Sequence, residues 1–329
     1  MNNLQDRVPV DIQQDFAQLN QQLTNHLTSS IALVQDIKDY VLRNGGKRIR
    51  PLLTLLIAKG FAYSGKQHIT LGCIVEYIHT ATLLHDDILD DASFRRSQPT
   101  INKKWGNTPA VLIGDYFYTQ AFLLIASLNN SRITQVFART NALIIEGELL
   151  QLTEVANIQL SQLQYLRIIY RKTAVLFAVA ARVMAILANK TPEQQSAIAH
   201  YARCLGMAFQ IIDDWLDYAG EAKQTGKQPG KDLAEKKLTL PLIHAFRTGS
   251  PAEIQILKQA LAHHGSADPV QFNQVKHILE RTGSLDYTKT CAAYYAQRAV
   301  YFLEQVELAD KTMEHYLQQI AVQLLERAY

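Results

Sequence analysis

Residues 71–91 read LGCIVEYIHTATLLHDDILDD, and the spacing inside this stretch decides the fold class. Leu71, Ile74, Val75, Ile78 and Thr82 recur three or four apart, which is the period of one helix face. The pattern predicts a helix over 68–91. Its end changes character, because Asp86, Asp87, Asp90 and Asp91 close an otherwise apolar run. Asp86 and Asp90 are one turn apart and share a face. Like charges at that spacing cost a helix about 0.2–0.5 kcal/mol per pair. At a helix C-terminus they also meet the negative end of the dipole, where cations are preferred. Something positive must compensate, and an oxygen-only donor set points to Mg²⁺, with Mn²⁺ as the alternative, rather than to zinc.

The same motif returns at 213–217, DDWLD, after the apolar run GMAFQII. Asp213 and Asp217 again share a face. A single DDxxD is as easily a solvated acidic helix end. Two in matching apolar contexts predict two walls of a pocket in which metal ions bridge a diphosphate.

The rest of the chain reads as helix. Only 15 glycines and 9 prolines in 329 residues leave long uninterrupted segments. Expected helices span 11–28, 31–44, 48–63, 68–91, 108–128, 132–155, 160–188, 192–219, 238–247, 251–263, 268–281 and 284–327 (with a break). Thr191-Pro192-Glu193 and Ser250-Pro251 mark two helix starts. No sheet is expected. The architecture predicted is an all-α bundle in one domain over 1–329, with 1–30 a peripheral N-terminal helix. The polar stretch from Gly220 to Lys237 is long enough to be functional.

Composition excludes several classes. Hydrophobic residues make up 48% and charged residues 19%, which rules out a disordered chain. A net charge of +3 argues against nucleic acid as a partner. Cys73, Cys204 and Cys291 are isolated, so neither a zinc site nor a disulfide framework is expected. No signal peptide is read at the N-terminus. The longest apolar stretch, Ala174 to Ala181, is too short for a membrane span, and a cytoplasmic location is expected.

A diphosphate pocket also needs cations. Residues 44–51, NGGKRIRP, place Lys47, Arg48 and Arg50 beside two glycines at a helix start. Arg95-Arg96 follow the first acid motif, and Lys172-Thr173, Lys227, Lys231, Lys236 and Lys237 add further charge. Two acidic walls with several basic clusters imply more than one phosphate-bearing substrate. His79 lies about two turns before Asp86, and Gln210 lies three residues before Asp213, each on the face of its motif.

These residues resemble the trans-isoprenyl diphosphate synthases, or polyprenyl synthetases. The likeness rests on GGKRIRP at 45–51, HTATLLHDDILD at 79–90 with Arg95-Arg96, GD at 114–115, EGE at 146–148, KT at 172–173, GMAFQIIDDWLD at 206–217, TGK at 225–227, GKD at 230–232 and Lys237 before TLPL. It covers about 30–325 and is nearest to the bacterial octaprenyl-making enzymes of quinone side-chain synthesis. One departure is Lys236, where related sequences commonly have glycine, and another is Gln228-Pro229.

The resemblance implies an all-α bundle around a deep central cavity, normally a homodimer. It implies metal ions on Asp86, Asp87 and Asp90 and on Asp213, Asp214 and Asp217. An allylic diphosphate, expected to be farnesyl diphosphate, would be held through those metals and by Arg95, Lys172, Thr173, Gln210 and Lys227, and Lys237 would also bind substrate. Isopentenyl diphosphate would lie on Lys47, Arg50, His79 and Arg96. The catalytic set would be Asp86, Asp90, Asp213, Asp217, Lys172 and Lys227. Small residues before the motif, Ala81 and Thr82, would let a long tail pass toward a floor at Leu124, Ile125 and Phe137. The product would be handed to a membrane. A shorter-chain synthase, a terpene cyclase, a metal-dependent phosphohydrolase using His85-Asp86 and a non-catalytic partner subunit are the competing readings.

Overall fold

The computed structural model describes residues 8–220, 229–262 and 268–326. The chain divides into two compact units. The first takes the described residues up to Arg139, with Leu176–His200 and Phe302–Gln319. The second takes Thr140–Val175, Tyr201–Tyr301 and the described residues from Ile320.

The first unit is built on α3 (Ile49–Gly60) and α4 (Gln67–Leu89). Both bury side chains around most of their circumference, as a central helix must when it is apolar on all sides. Helix α1 (Val10–Asn25) lays Ile12, Phe16, Leu19 and Leu23 against them. A Cβ at Gly72 would meet Leu19 Cδ1 at 2.3 Å, so this glycine sets how closely α1 approaches α4. Tyr77 Oη donates to the Leu23 carbonyl at 2.8 Å. Helix α2 (Ala32–Arg43) and the short α5 (Ile101–Trp105) lie beside α6 (Asn107–Ser127), which packs on α4 through Ala110, Ile113, Gly114, Phe117, Ala121 and Ile125. Helix α6 is also long and apolar enough to cross a membrane by length and composition. Val111, Leu112, Phe122 and Leu123 on it are exposed.

The expectation of no sheet is corrected at one place. Phe94–Arg95 (β1) and Gln98–Pro99 (β2) pair antiparallel, with Phe94 opposite Pro99. The two turn residues, Arg96 and Ser97, have φ of 52° and 63°. A two-residue hairpin needs this left-handed turn, and glycine or asparagine normally supplies it. Here an arginine holds it, and period-two alternation is too short to show in a strand of two residues.

Helix α7 (Ser131–Thr153) begins in the first unit and continues in the second. In the second unit, α8 (Gln162–Ile169) opens on a capping box between Ser161 and Gln164. It runs into a π-helical segment, Tyr170–Ala174, before α9 (Val175–Leu187), which from Leu176 belongs to the first unit. Helix α10 (Pro192–Ala219) ends on the second acid motif, and α11 (Lys231–Ala234) is one turn long. Helices α12 (Leu240–Thr248), α13 (Pro251–Ala262), α14 (Pro269–Arg281) and α15 (Ser284–Leu303) follow, and α16 (Lys311–Glu326) begins in the first unit and ends in the second. The Ser250 start is borne out: Glu253 accepts from the Ser250 N–H at 2.9 Å and donates its own N–H to Ser250 Oγ. Ile211, Ile212, Leu240, Leu242, Val275 and Leu279 form the centre of this unit's core.

Candidate active site

In the first unit the acid motif straddles a helix end. Helix α4 stops at Leu89, and the Asp90 N–H still bonds to the Asp86 carbonyl at 2.9 Å. Asp91 turns left-handed with φ of 45°, and the Ala92 N–H returns to the Asp87 carbonyl at 2.9 Å. Asp86 and Asp90 are half-buried, whereas Asp87 is only 4% exposed. Arg95 forks onto Asp87: Nε lies 2.9 Å from both carboxylate oxygens, and Nη2 lies 2.7 Å from Oδ1. Such a bidentate pair fixes geometry as well as charge. Asp87 is therefore an internal clamp on the hairpin, a use that its expected metal role did not include. Arg95 acts first as the other half of that clamp. His85 reaches away to α6, with Nε2 at 3.3 Å from the Val111 carbonyl and 3.5 Å from Asp115 Oδ1. Gly114 leaves the room, since a Cβ there would sit 2.2 Å from His85 Nε2.

Beside the motif is a cavity of about 80 Å³, lined among others by Gly45, Gly46, Glu76, His79, Arg95 and Arg96. The hairpin turn delivers Arg96, whose Nη1 donates to the Asn44 carbonyl at 2.8 Å. A Cβ on Gly46 would meet Arg96 Nη2 at 2.2 Å, so a larger residue here would push the Arg96 guanidinium aside. Arg50 Nη1 lies 3.2 Å from His79 Nε2, and its guanidinium stacks 4.4 Å over the Phe177 ring. Burial, then Arg50, Arg95 and Arg96, hold the His79 imidazole well below its ordinary pKa. It is a neutral group with one donor and one acceptor. Lys47 is exposed on the same segment. The expected set of Arg50, His79 and Arg96 is thus brought together.

In the second unit the middle acid is again turned inward. Asp214 is 5% exposed and accepts from Tyr165 Oη at 2.6 Å and from Gln210 Nε2 at 2.7 Å. Thr173 Oγ1 donates to Gln210 Oε1 at 2.8 Å. Burial pushes Asp214 up to about 7, opposed by the bonds from Tyr165 and Gln210. Asp214, expected as a metal ligand, is thus held by protein donors as Asp87 is. Asp217 accepts the N–H groups of Lys231 and Asp232 at 3.1 and 2.9 Å. It therefore caps α11, a use that sequence spacing does not show. Asp213 is half-buried.

A cavity of about 130 Å³ in this unit is lined in part by Tyr165, Lys172, Thr173, Gln210, Asp214 and Lys237. Four of the expected substrate contacts thus share one wall. Lys172 pairs with Glu148 at 2.6 Å, and Arg171 pairs with Glu146. Gly147 lies between these acids because α7 touches the π segment there: a Cβ would sit 2.8 Å from the Lys172 nitrogen. Backbone cannot yield as a side chain can. Gly147→Ala should therefore cost about 2 kcal/mol of stability and displace Lys172, read as a lower Tm together with lower activity. Lys227 lies outside the described residues.

Lys237 pairs with Glu235 at 2.6 Å, and the preceding Lys236 has φ of 56°. This is the position where related sequences commonly carry glycine, and the left-handed backbone is the reason. Lys236→Gly should raise stability by about 1 kcal/mol, visible as an upward shift in thermal midpoint.

The chain-length candidates all lie in the first unit. Ala81, Ile125 and Phe137 are sealed, with exposures of 0%, 1% and 0%. Thr82 and Leu124 are half-buried, and Thr82 Oγ1 donates to the His79 carbonyl at 2.8 Å.

Among the described residues no cluster of three or more His, Cys, Asp or Glu side chains forms a metal site by itself. Asp86 and Asp90 in the first unit, and Asp213 and Asp217 in the second, are each oxygen donors of the kind that suit a hard ion, one that keeps its waters and takes its other ligands from phosphates. Sequence reading missed Tyr165 and Glu76. A lone glutamate inside the buried run 71–78 is the signal that could have found the second.

The polyprenyl synthetase family profile matches residues 31–279. Octaprenyl diphosphate synthase of Escherichia coli is 40% identical over 291 residues, covering 88% of this chain and 90% of that protein. The decaprenyl diphosphate synthase structure from Rhodobacter capsulatus superposes with a TM-score of 0.92 at 35% identity, covering 99% of both chains. A polyprenyl synthase structure from Caulobacter crescentus, complexed with calcium and isoprenyl diphosphate, gives 0.91 at 34% identity, covering 96% of both. The chain belongs to the polyprenyl synthetase family and is a metal-dependent prenyltransferase with the all-α isoprenoid synthase fold.

Proposed function

We propose that this enzyme is a long-chain all-trans polyprenyl diphosphate synthase. It condenses isopentenyl diphosphate repeatedly onto an allylic diphosphate, farnesyl diphosphate, to reach octaprenyl diphosphate for quinone side chains. The observation that carries the reading is the pair of acid motifs. Each ends a helix, each has its middle acid locked by protein donors, and each adjoins a cavity with basic side chains. Small residues at Ala81 and Thr82 support a long product, as do relatives named for octaprenyl and decaprenyl products.

Asp86, Asp90, Asp213 and Asp217 would hold Mg²⁺, which when bound neutralises the departing diphosphate. Lys172, Thr173, Lys227 and Lys237 bind the allylic diphosphate and stabilise its charge as the carbon–oxygen bond breaks. Gln210 belongs to the same set through Thr173 and Asp214. Arg50, Arg96, Lys47 and neutral His79 orient isopentenyl diphosphate, so that its double bond attacks the allylic cation. The proton then lost goes to the diphosphate just released, so no basic side chain is required. Apolar walls keep water from the cation. The exposed residues of α6 are assigned to a homodimer contact with a second copy, in a cytoplasmic enzyme that delivers its product to a membrane.

The test is incubation of the purified protein with Mg²⁺, labelled isopentenyl diphosphate and farnesyl diphosphate, followed by chromatography of the dephosphorylated products. A ladder ending at the octaprenyl alcohol is expected. A single short product would overturn the chain length, and no elongation would overturn the activity.

A further inference from the structure

Glu76 is the one charged residue in the buried run from Leu71 to Ile78, and it is only 8% exposed. Unpaired burial of a carboxylate is costly, so its position calls for a reason. It lies one turn before His79 on α4 and lines the same cavity as Gly46, His79 and Arg96. Its Oε1 is 4.0 Å from Arg48 Nε. That Nε is buried and has no hydrogen-bond partner. Arg48 reaches this place only by taking a left-handed backbone with φ of 44° at the start of α3. Arg50 and Arg96 also act on the carboxylate: burial raises its pKa, and the three arginines oppose that rise. Arg96 lines the cavity with Glu76, Arg48 lies against Glu76, and Arg50 lies against His79 one turn further on; guanidinium groups gathered this closely would spread apart without a counter-charge.

We propose that Glu76 is a positioning residue, a buried carboxylate that gathers Arg48, Arg50 and Arg96 into the geometry that receives the diphosphate of the second substrate. This rests on the reading of the cavity as the isopentenyl diphosphate site. The anion then meets a preset cluster rather than ordering one as it binds.

The test compares Glu76→Gln, Glu76→Asp and the unaltered protein. In the Gln variant the KM for isopentenyl diphosphate should rise about tenfold, with kcat and the allylic KM within about twofold. Affinity for inorganic pyrophosphate, measured by calorimetry, should fall by a similar factor. Glu76→Asp keeps the charge and should recover part of both, and it carries the test if the Gln variant fails to fold. A carboxylate that merely offsets positive charge predicts the reverse sign, because its removal would tighten anion binding. A lowered or unchanged KM therefore overturns the proposal. If the unaltered protein itself does not condense the two substrates, the functional reading fails instead, and the pyrophosphate titration still decides the role of Glu76.

Discussion

Asp86→Asn lowers kcat for prenyl transfer by about a thousandfold, while the protein stays folded and its thermal midpoint is nearly unchanged. Its neighbour behaves in the opposite manner. Asp87→Asn breaks a buried clamp and leaves Arg95 without its carboxylate, which costs about 2–3 kcal/mol of stability. The contrast follows from geometry. Asp86 is half-buried at the end of α4, whereas both oxygens of Asp87 are taken by Arg95. Asp213 and Asp214 should repeat the contrast, with Tyr165 and Gln210 in the part of Arg95. The measurements are steady-state kinetics over a Mg²⁺ series and thermal unfolding of all four variants. A folded, stable Asp87→Asn protein with weakened metal dependence would show that the clamp opens and that Asp87 is a ligand after all.

That contrast also marks what the sequence could and could not tell. The helices were legible because apolar residues at three and four leave little choice in a chain with few breakers. The acid motifs were legible because nothing in helix stability asks for two carboxylates on one face at a C-terminus. Spacing alone gives Asp86 and Asp87 the same standing, however. Which of them turns inward depends on a guanidinium eight residues later, carried by a hairpin too short to show a strand pattern. Tyr165 was invisible for a similar reason. It meets Asp214 across 49 positions of chain, and a tyrosine in an amphipathic helix reads as core. The glycine in EGE was legible as part of a motif but had no stated purpose until the π segment was seen to pass against it. Lys236 is the reverse case. The sequence showed a departure from glycine, and the backbone angle supplies its physical cost.

Thr82→Phe shortens the product to farnesyl or geranylgeranyl size. Thr82 lies one turn before Asp86, so it shares the face on which the allylic diphosphate is anchored. A growing tail that runs down this face advances along α4, where each turn rises about 5.4 Å. A ring placed one turn below the anchor then meets the tail within its first few units. The structure distinguishes the two small residues here. Ala81 is fully sealed, whereas Thr82 is half-buried and its hydroxyl is satisfied within the helix by the His79 carbonyl. A phenylalanine at 82 can therefore project into accessible space. At 81 it must overpack, which costs about 1–3 kcal/mol. Ala81→Phe is expected to lower Tm as well as shorten the product, and Thr82→Phe to shorten it at nearly unchanged Tm. Phe137→Ala, at the proposed floor, acts in the other direction and lengthens the ladder. Chromatography of dephosphorylated products from equal turnovers separates these outcomes. The first condensation should persist in the Thr82 variant, because the anchor and the basic cavity are untouched. An unaltered ladder from Thr82→Phe would mean that the tail leaves Asp86 by another face of α4. The floor would then have to be sought away from Ile125 and Phe137.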